Sequence, residues 1–167
     1  MSAAAPRDPI GGSPAADAIV VAAGRSARMG GTDKLFARVA GRPLLAWTLD
    51  AIAAVDEVER IVVVTAPERT AEVRAAAWLP ASVVAVVEGG DRRQTSVAAG
   101  LLALDGIDDG DTRIVLVHDG ARPLVSPALV REVIRATAEH GAAIPVVPRR
   151  GDAEEDRRRD GRRNGRP

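Results

Sequence analysis

Val and Ile recur along the chain in short unbroken runs, separated by longer stretches in which apolar and polar positions follow a helical period. The runs Ala18 to Val21, Arg60 to Thr65, Ser82 to Val87, Arg113 to His118 and Ala142 to Val147 predict strands covered on both faces. Between them, Pro43 opens a helix through Ala54, Pro67 opens one through Ala77, Asp91 caps one through Leu104, and Ser126 caps one through Glu139. Alternating strands and helices of this kind predict an α/β fold with a mostly parallel sheet. Right-handed crossovers then bring the loops at the strand C-terminal ends to one edge, where open sheets bind their ligands. Trp47 in one predicted helix and Trp78 at the end of another read as packing residues.

The two ends break this pattern. Met1 to Asp17 is rich in Ala, Pro and Gly and reads as a disordered extension, leaving residues 18–148 as one domain. Residues 149–167 hold no Val, Ile, Leu or aromatic side chain and alternate Arg with Asp, Glu and Gly. Such a tail cannot build a core, and its interleaved acids argue against a nucleic-acid-binding arm. A length of 167 residues suits a single core. Zero net charge with 46% apolar residues gives no basic field for DNA or RNA, and a small anionic ligand fits better. No cysteine is present, which excludes disulfides and thiolate metal sites. With no leader-like start and no apolar run of membrane-spanning length, a cytoplasmic location is expected.

Three predicted loops carry the chemistry, and all follow strands. The first, AAGRSARMGGTDK from Ala22 to Lys34, has small residues at Ala22, Ala23 and Gly24 that admit a ligand to the backbone, with donors around Arg25 to Ala27 facing phosphate oxygens. Arg28 and Lys34 supply positive charge to a triphosphate and to the transition state of its transfer. The run is neither a Walker loop nor a GxGxxG fingerprint; its plain alternative is a surface loop with two solvated cations. The second, EGGDRRQTSV from Glu88, offers Gly89 and Gly90 for close approach to a base or sugar, and Asp91, Arg93 and Ser96 as polar contacts, although Asp91 alone reads more simply as a helix cap. In the third, VLVHDGARP, Asp119 stands just past a strand where a single carboxylate can hold magnesium beside phosphates. His118 reads as a satisfied strand-end histidine, and Arg122 either as an anion contact or as a loop tether.

Taken together, AAGRSARMGGTDK, LFARVAGRPLLAWTL, EGGDRRQTSVAAGL, VLVHDGARPLV and GAAIPVVP resemble, in order and spacing from Ile19 to about Pro148, the 2-C-methyl-D-erythritol 4-phosphate cytidylyltransferases of the non-mevalonate isoprenoid pathway. The resemblance implies a Rossmann-like three-layer nucleotidyltransferase fold. It also implies attack of the methylerythritol 4-phosphate oxygen on the α-phosphorus of CTP, with release of pyrophosphate. By the same resemblance Arg28 and Lys34 are catalytic, Ala22, Ala23 and Gly24 contact the nucleotide, and Gly90, Asp91 and Ser96 the cytosine and ribose region; Ser26, Gly89 and Arg93 are read as part of the same nucleotide site. Asp119 binds Mg2+ or another divalent cation such as manganese, and the family is expected to form a homodimer.

Ser26 stands where the family usually has a second glycine, and Asp33 where a proline precedes the lysine. After Pro148 the expected segment like Asp-Thr-Ile-Lys-Arg, the dimer arm, further substrate contacts and a late lysine do not appear. A reading-frame shift in the gene, or a natural short variant, accounts for that break, and the activity of such a chain is open. The alternatives are a molybdopterin or sugar-phosphate nucleotidyltransferase, whose first loop is similar, and a nucleotide-binding fragment without catalysis.

Overall fold

The computed structural model describes residues 14–24, 34–105 and 113–146. In chain order these form β1 (Ala16–Ala22), a 3-10 turn at Lys34–Phe36, β2 (Arg38–Val39), β3 (Arg42–Pro43), α1 (Leu44–Ala53), β4 (Val58–Thr65), α2 (Pro67–Arg74), β5 (Val83–Glu88), α3 (Arg93–Asp105), β6 (Ile114–Asp119) and α4 (Pro127–His140).

Strands β5, β4, β1 and β6 lie side by side in that order, every pair parallel. Strand β1 is central, with Val21 opposite Val64 of β4 on one side and Asp119 of β6 on the other. The strand order reverses between β1 and β6, so the crevice outside their C-terminal ends is the topological switch point of the sheet. Successive residues of the inner strands face opposite layers, which is why their sequences are continuous Val and Ile rather than alternating. Ala18, Val20, Ala22, Ile61 and Val63 pack with Leu45, Leu49 and Ile52 of α1 and with Val130 and Ile134 of α4. Ile19, Val62 and Val64 face the opposite layer with Leu104 of α3. Each fully buried Val, Ile or Leu there contributes about 1.5–3 kcal/mol of transfer free energy. Helix α3 sits close to β1 because Gly100 has no Cβ; one would lie 2.6 Å from Cγ2 of Ile19.

The helix ends follow local chemistry. Pro67 occupies the first turn of α2. Ser126 caps α4 by accepting from the Leu129 N–H at 3.2 Å, and Gly141 ends it with φ at 84°, its N–H donating to the Thr137 carbonyl at 2.8 Å.

Four of the five expected strands form, and the fifth does not. Residues 142–146 pair with no strand among the described residues, and Ile144 and Val146 are 82% and 77% exposed. An apolar run becomes a strand only when a neighbour offers a ladder and a surface to cover, and none is described here. Helix α2 ends at Arg74 rather than Ala77, so that Trp78 and Leu79 turn back against the core from the segment beyond it. Asp91 is not the cap of α3: the helix begins at Arg93, which puts Arg92 in the cap position, its carbonyl accepting from the Ser96 N–H. The β2–β3 hairpin was not expected. Its two-residue turn places Ala40 (φ 49°) and Gly41 (φ 79°) in the left-handed region, and Trp47 Nε1 donates to the Val39 carbonyl at 2.9 Å to hold it.

Strand β1 also begins two residues earlier than expected, bringing Ala16 and Asp17 into the sheet. Asp17 is 2% exposed and tolerates burial because two cations meet it at the sheet's N-terminal end. Arg60 donates to its two oxygens at 2.9 and 2.7 Å, and Arg113 donates to Oδ2 at 3.1 Å while reaching Glu59 at 2.6 Å. Burial would lower the Arg113 pKa, but the Glu59 hydrogen bond and the charges of Asp17 and Glu59 outweigh it and raise the pKa, so this guanidinium stays charged. The cluster lies at the end of the sheet opposite the switch point. Residues 149–167 lie outside the described residues, and among those described no helix is long and apolar enough to cross a membrane.

Candidate functional site

The three expected loops emerge at the C-terminal edge of the sheet. Strand β1 delivers Ala22, buried, then Ala23 and the exposed Gly24. Ser26 and Arg28 lie outside the described residues; the chain is described again at Lys34, which is exposed at the start of the 3-10 turn. Leu35 of that turn is buried against Gly120, where an added Cβ would meet Leu45 Cδ1 at 3.1 Å and Ala22 Cβ and Leu35 Cδ2 at 3.2 Å. Gly120 therefore brings the loop after β6 into contact with the loop after β1. Its N–H donates to the Val21 carbonyl at 2.8 Å, and its carbonyl accepts from the buried Thr48 hydroxyl of α1 at 2.7 Å.

On the other side of β1, Gly89 closes the gap to β5. Its N–H donates to the Thr65 carbonyl at 2.8 Å, and a Cβ there would lie 2.4 Å from Ala23 Cβ, 2.7 Å from Ser96 Oγ and 3.1 Å from Val64 Cγ1. Only glycine lets the first and second loops approach so closely. Gly90 follows, tight against Thr95, and Asp91 is exposed. Ser96 is 1% exposed, with its hydroxyl 3.4 Å from the Gly90 carbonyl and 3.3 Å from that of Arg92, so it holds the turn from behind.

Asp119, at the end of β6, is paired with two arginines, by hydrogen bonds from Arg93 and by an ion pair with Arg122. Arg93 of α3 donates to Oδ1 through Nη2 at 3.0 Å and Nε at 3.3 Å, and Nε of Arg122 lies 3.0 Å from Oδ2. Arg122 thus tethers its own turn, and its carbonyl lies 3.1 Å from His118 Nε2. The expected residues Ala22, Ala23, Gly24, Gly89, Gly90, Asp91, Arg93, Ser96, Asp119 and Arg122 all belong to the loops and helix start at this one edge. The pairing of Arg93 with Asp119 across 26 positions and the support of Gly120 by Thr48 had no signal in the sequence. Thr65 had one, as a polar residue ending an apolar run. It lies in register between Ala22 and Glu88, buried, with Oγ1 making no hydrogen bond.

The donor set bears on a metal. Among the described residues no three His, Asp or Glu side chains cluster as a metal cage. One half-exposed carboxylate beside an open edge fits a hard cation that takes its remaining oxygens from phosphate and water, as magnesium does, and does not fit an ion that needs a full protein cage.

A family model for 2-C-methyl-D-erythritol 4-phosphate cytidylyltransferase, IspD, matches residues 16–154, the whole span from β1 past α4. The chain belongs to the IspD family. A cytidylyltransferase of that description from Dehalococcoides mccartyi is 41% identical over 133 residues, which cover 78% of this chain and 56% of the relative. Among solved structures, a 4-diphosphocytidyl-2C-methyl-D-erythritol synthase from Anaerococcus prevotii superposes with a TM-score of 0.55 at 27% identity, covering 75% of this chain and 52% of its own. A Mycobacterium tuberculosis protein solved in complex with manganese superposes at 0.53 with 26% identity, covering 75% and 60%. The chain spans about half the length of the curated relatives it matches. The α/β fold with a parallel sheet is the one expected of this family.

Proposed function

We propose that this edge of the sheet binds CTP and presents its α-phosphorus to the phosphate oxygen of 2-C-methyl-D-erythritol 4-phosphate. A phosphate oxygen of the acceptor forms the new bond to the α-phosphorus as the bond to the β-phosphate bridge oxygen breaks. The products are 4-diphosphocytidyl-2-C-methyl-D-erythritol and pyrophosphate. The observation that carries the reading is the convergence of Ala22–Gly24, Gly89–Arg93 and Asp119–Arg122 on the switch point of a chain from this family. Membership of the family favours cytidylyl transfer over transfer to molybdopterin or a sugar phosphate.

The chain's own residues do the positioning. Backbone at Ala22 to Gly24 lies where phosphates approach, with Arg28 and Lys34 matching the charge that builds on the phosphoryl oxygens. Gly89 and Gly90, with Asp91, give a close backbone surface for the cytosine and ribose, kept in shape by the Ser96 hydroxyl. Asp119 would hold Mg2+ or Mn2+, which when bound neutralises phosphate charge. Holding the reactants in line and supplying fixed positive charge are sufficient sources of rate for this chemistry, with no covalent enzyme intermediate. The setting proposed is the cytoplasm, where CTP is found.

Supplying methylerythritol phosphate, magnesium and each of the four nucleoside triphosphates, and following pyrophosphate release, tests this. Release with CTP above the other three is expected; release with GTP instead, or with none while CTP fails to bind, overturns the reading. CTP binding without release leaves nucleotide binding as the function of the chain.

A further inference from the structure

Both oxygens of Asp119 are already engaged by cations. Arg93 reaches Oδ1 with two nitrogens, at 3.0 and 3.3 Å, and Arg122 reaches Oδ2 at 3.0 Å. The two guanidiniums come from different elements: Arg93 is the first residue of α3, and Arg122 is set by the turn after β6, its N–H donating to the Asp119 carbonyl at 3.1 Å. One negative charge thus faces two positive charges, and a divalent cation approaching the carboxylate meets like charge. Both arginines are largely exposed, with side chains 59% and 74% accessible, so they are free to swing away. A planar guanidinium matches phosphate oxygens at least as well as a carboxylate.

We propose that Arg93 and Arg122 are placeholder counter-ions for Asp119, which turn to a polyphosphate when it arrives and only then release the carboxylate for a divalent cation. This rests on the reading above that Asp119 takes the cation and that a nucleotide triphosphate binds at the same edge. It makes Arg93 and Arg122 positioning residues that set the order of binding, nucleotide before metal. Because coupling between two ligands is reciprocal, the cation then tightens the nucleotide by the same factor as the nucleotide tightens the cation.

The test is a Mn2+ titration of the whole chain without nucleotide, reading free Mn2+ by electron paramagnetic resonance. Two exposed ion pairs together are worth about tenfold in an equilibrium constant. The double variant Arg93→Gln with Arg122→Gln is therefore expected to bind Mn2+ about tenfold more tightly than the parent, and Asp119→Asn in that background to abolish the gain. Arg92→Gln removes a neighbouring charge that makes no ion pair with Asp119, and is expected to leave Mn2+ binding unchanged. Arg93→Lys keeps the charge and is expected to behave as the parent, and melting curves check that all variants fold. An unchanged Mn2+ affinity in the double variant, or an equal gain from Arg92→Gln, overturns the proposal. So does CTP that binds the parent without tightening its hold on Mn2+. Calorimetry of CTP alone on the same samples separates the two claims: no CTP binding is a failure of the proposed function, whereas the nucleotide-free titration reads the arginine pairing by itself.

Discussion

Replacing Gly89 with alanine perturbs the place where two of the site's loops meet. The new methyl carbon would stand 2.4 Å from Ala23 Cβ, 2.7 Å from Ser96 Oγ and 3.1 Å from Val64 Cγ1. Ordinary carbon contacts begin at about 3.5 Å, so relief requires a movement of about 1 Å. Ala23 has no rotamer to change, Ser96 is held by two carbonyls, and Val64 is in the central sheet, so the movement must come from backbone. Overpacking of this kind costs about 1–3 kcal/mol, while the loss of glycine's freedom in the unfolded chain offsets about 0.4–1 kcal/mol. A net loss of about 1–2 kcal/mol is expected, read as a lower urea midpoint at unchanged slope. Calorimetry on the folded variant should show weakened CTP binding as well, because Ala23 and the Gly89–Gly90 backbone are pushed apart. Gly24→Ala is the matching control. Among the described residues nothing lies within 4 Å of its added methyl group, so stability should hold or rise slightly while CTP affinity falls through lost backbone approach. A Gly89→Ala chain as stable as the parent with unchanged CTP affinity would refute the reasoning.

Two further substitutions probe the frame. Asp17→Asn strips the charge that neutralises Arg60 and Arg113 at the buried end of β1, and a loss of about 3–5 kcal/mol is expected in chemical denaturation, as for a buried pair losing one partner; a loss under 1 kcal/mol would show that the cluster is hydrated. Thr48→Val leaves the Gly120 carbonyl without its 2.7 Å donor and should cost about 1–3 kcal/mol, with faster amide exchange at Gly120 and Ala121 than elsewhere in the sheet. Uniform exchange across the sheet would contradict that local role.

The parts of the fold that were legible in the sequence are those fixed by local pattern. The Val and Ile runs of β4, β5 and β6, the proline-led start of α2 and the capped start of α4 depend on neighbours a few residues away, and the glycines of the second and third loops stand where strands end. What escaped depended on partners distant along the chain. Ala142 to Val147 has the composition of a strand but, as far as it is described, no partner strand. Asp17 looked like the end of a polar extension, because Arg60 and Arg113 are brought to it only by the sheet. The hairpin rests on strands of two residues and an alanine in the left-handed region, for which local preference gives no warning. At the site, the residue types were readable but their mutual engagement was not: Asp119 reads in the sequence as a single metal-holding carboxylate and is paired with two arginines in the fold.

In the function proposed above, cytidine triphosphate sits at the β1/β6 switch point. The most direct test of that placement is an amide-resolved NMR titration of the labelled chain with CTP and magnesium. Shifts are expected at Ala22 to Gly24, Gly89 to Arg93 and Asp119 to Arg122, with Asp17, Arg60 and Arg113 at the other end of the sheet unmoved. Shifts confined to the opposite end, or no saturable shifts at all, would contradict it.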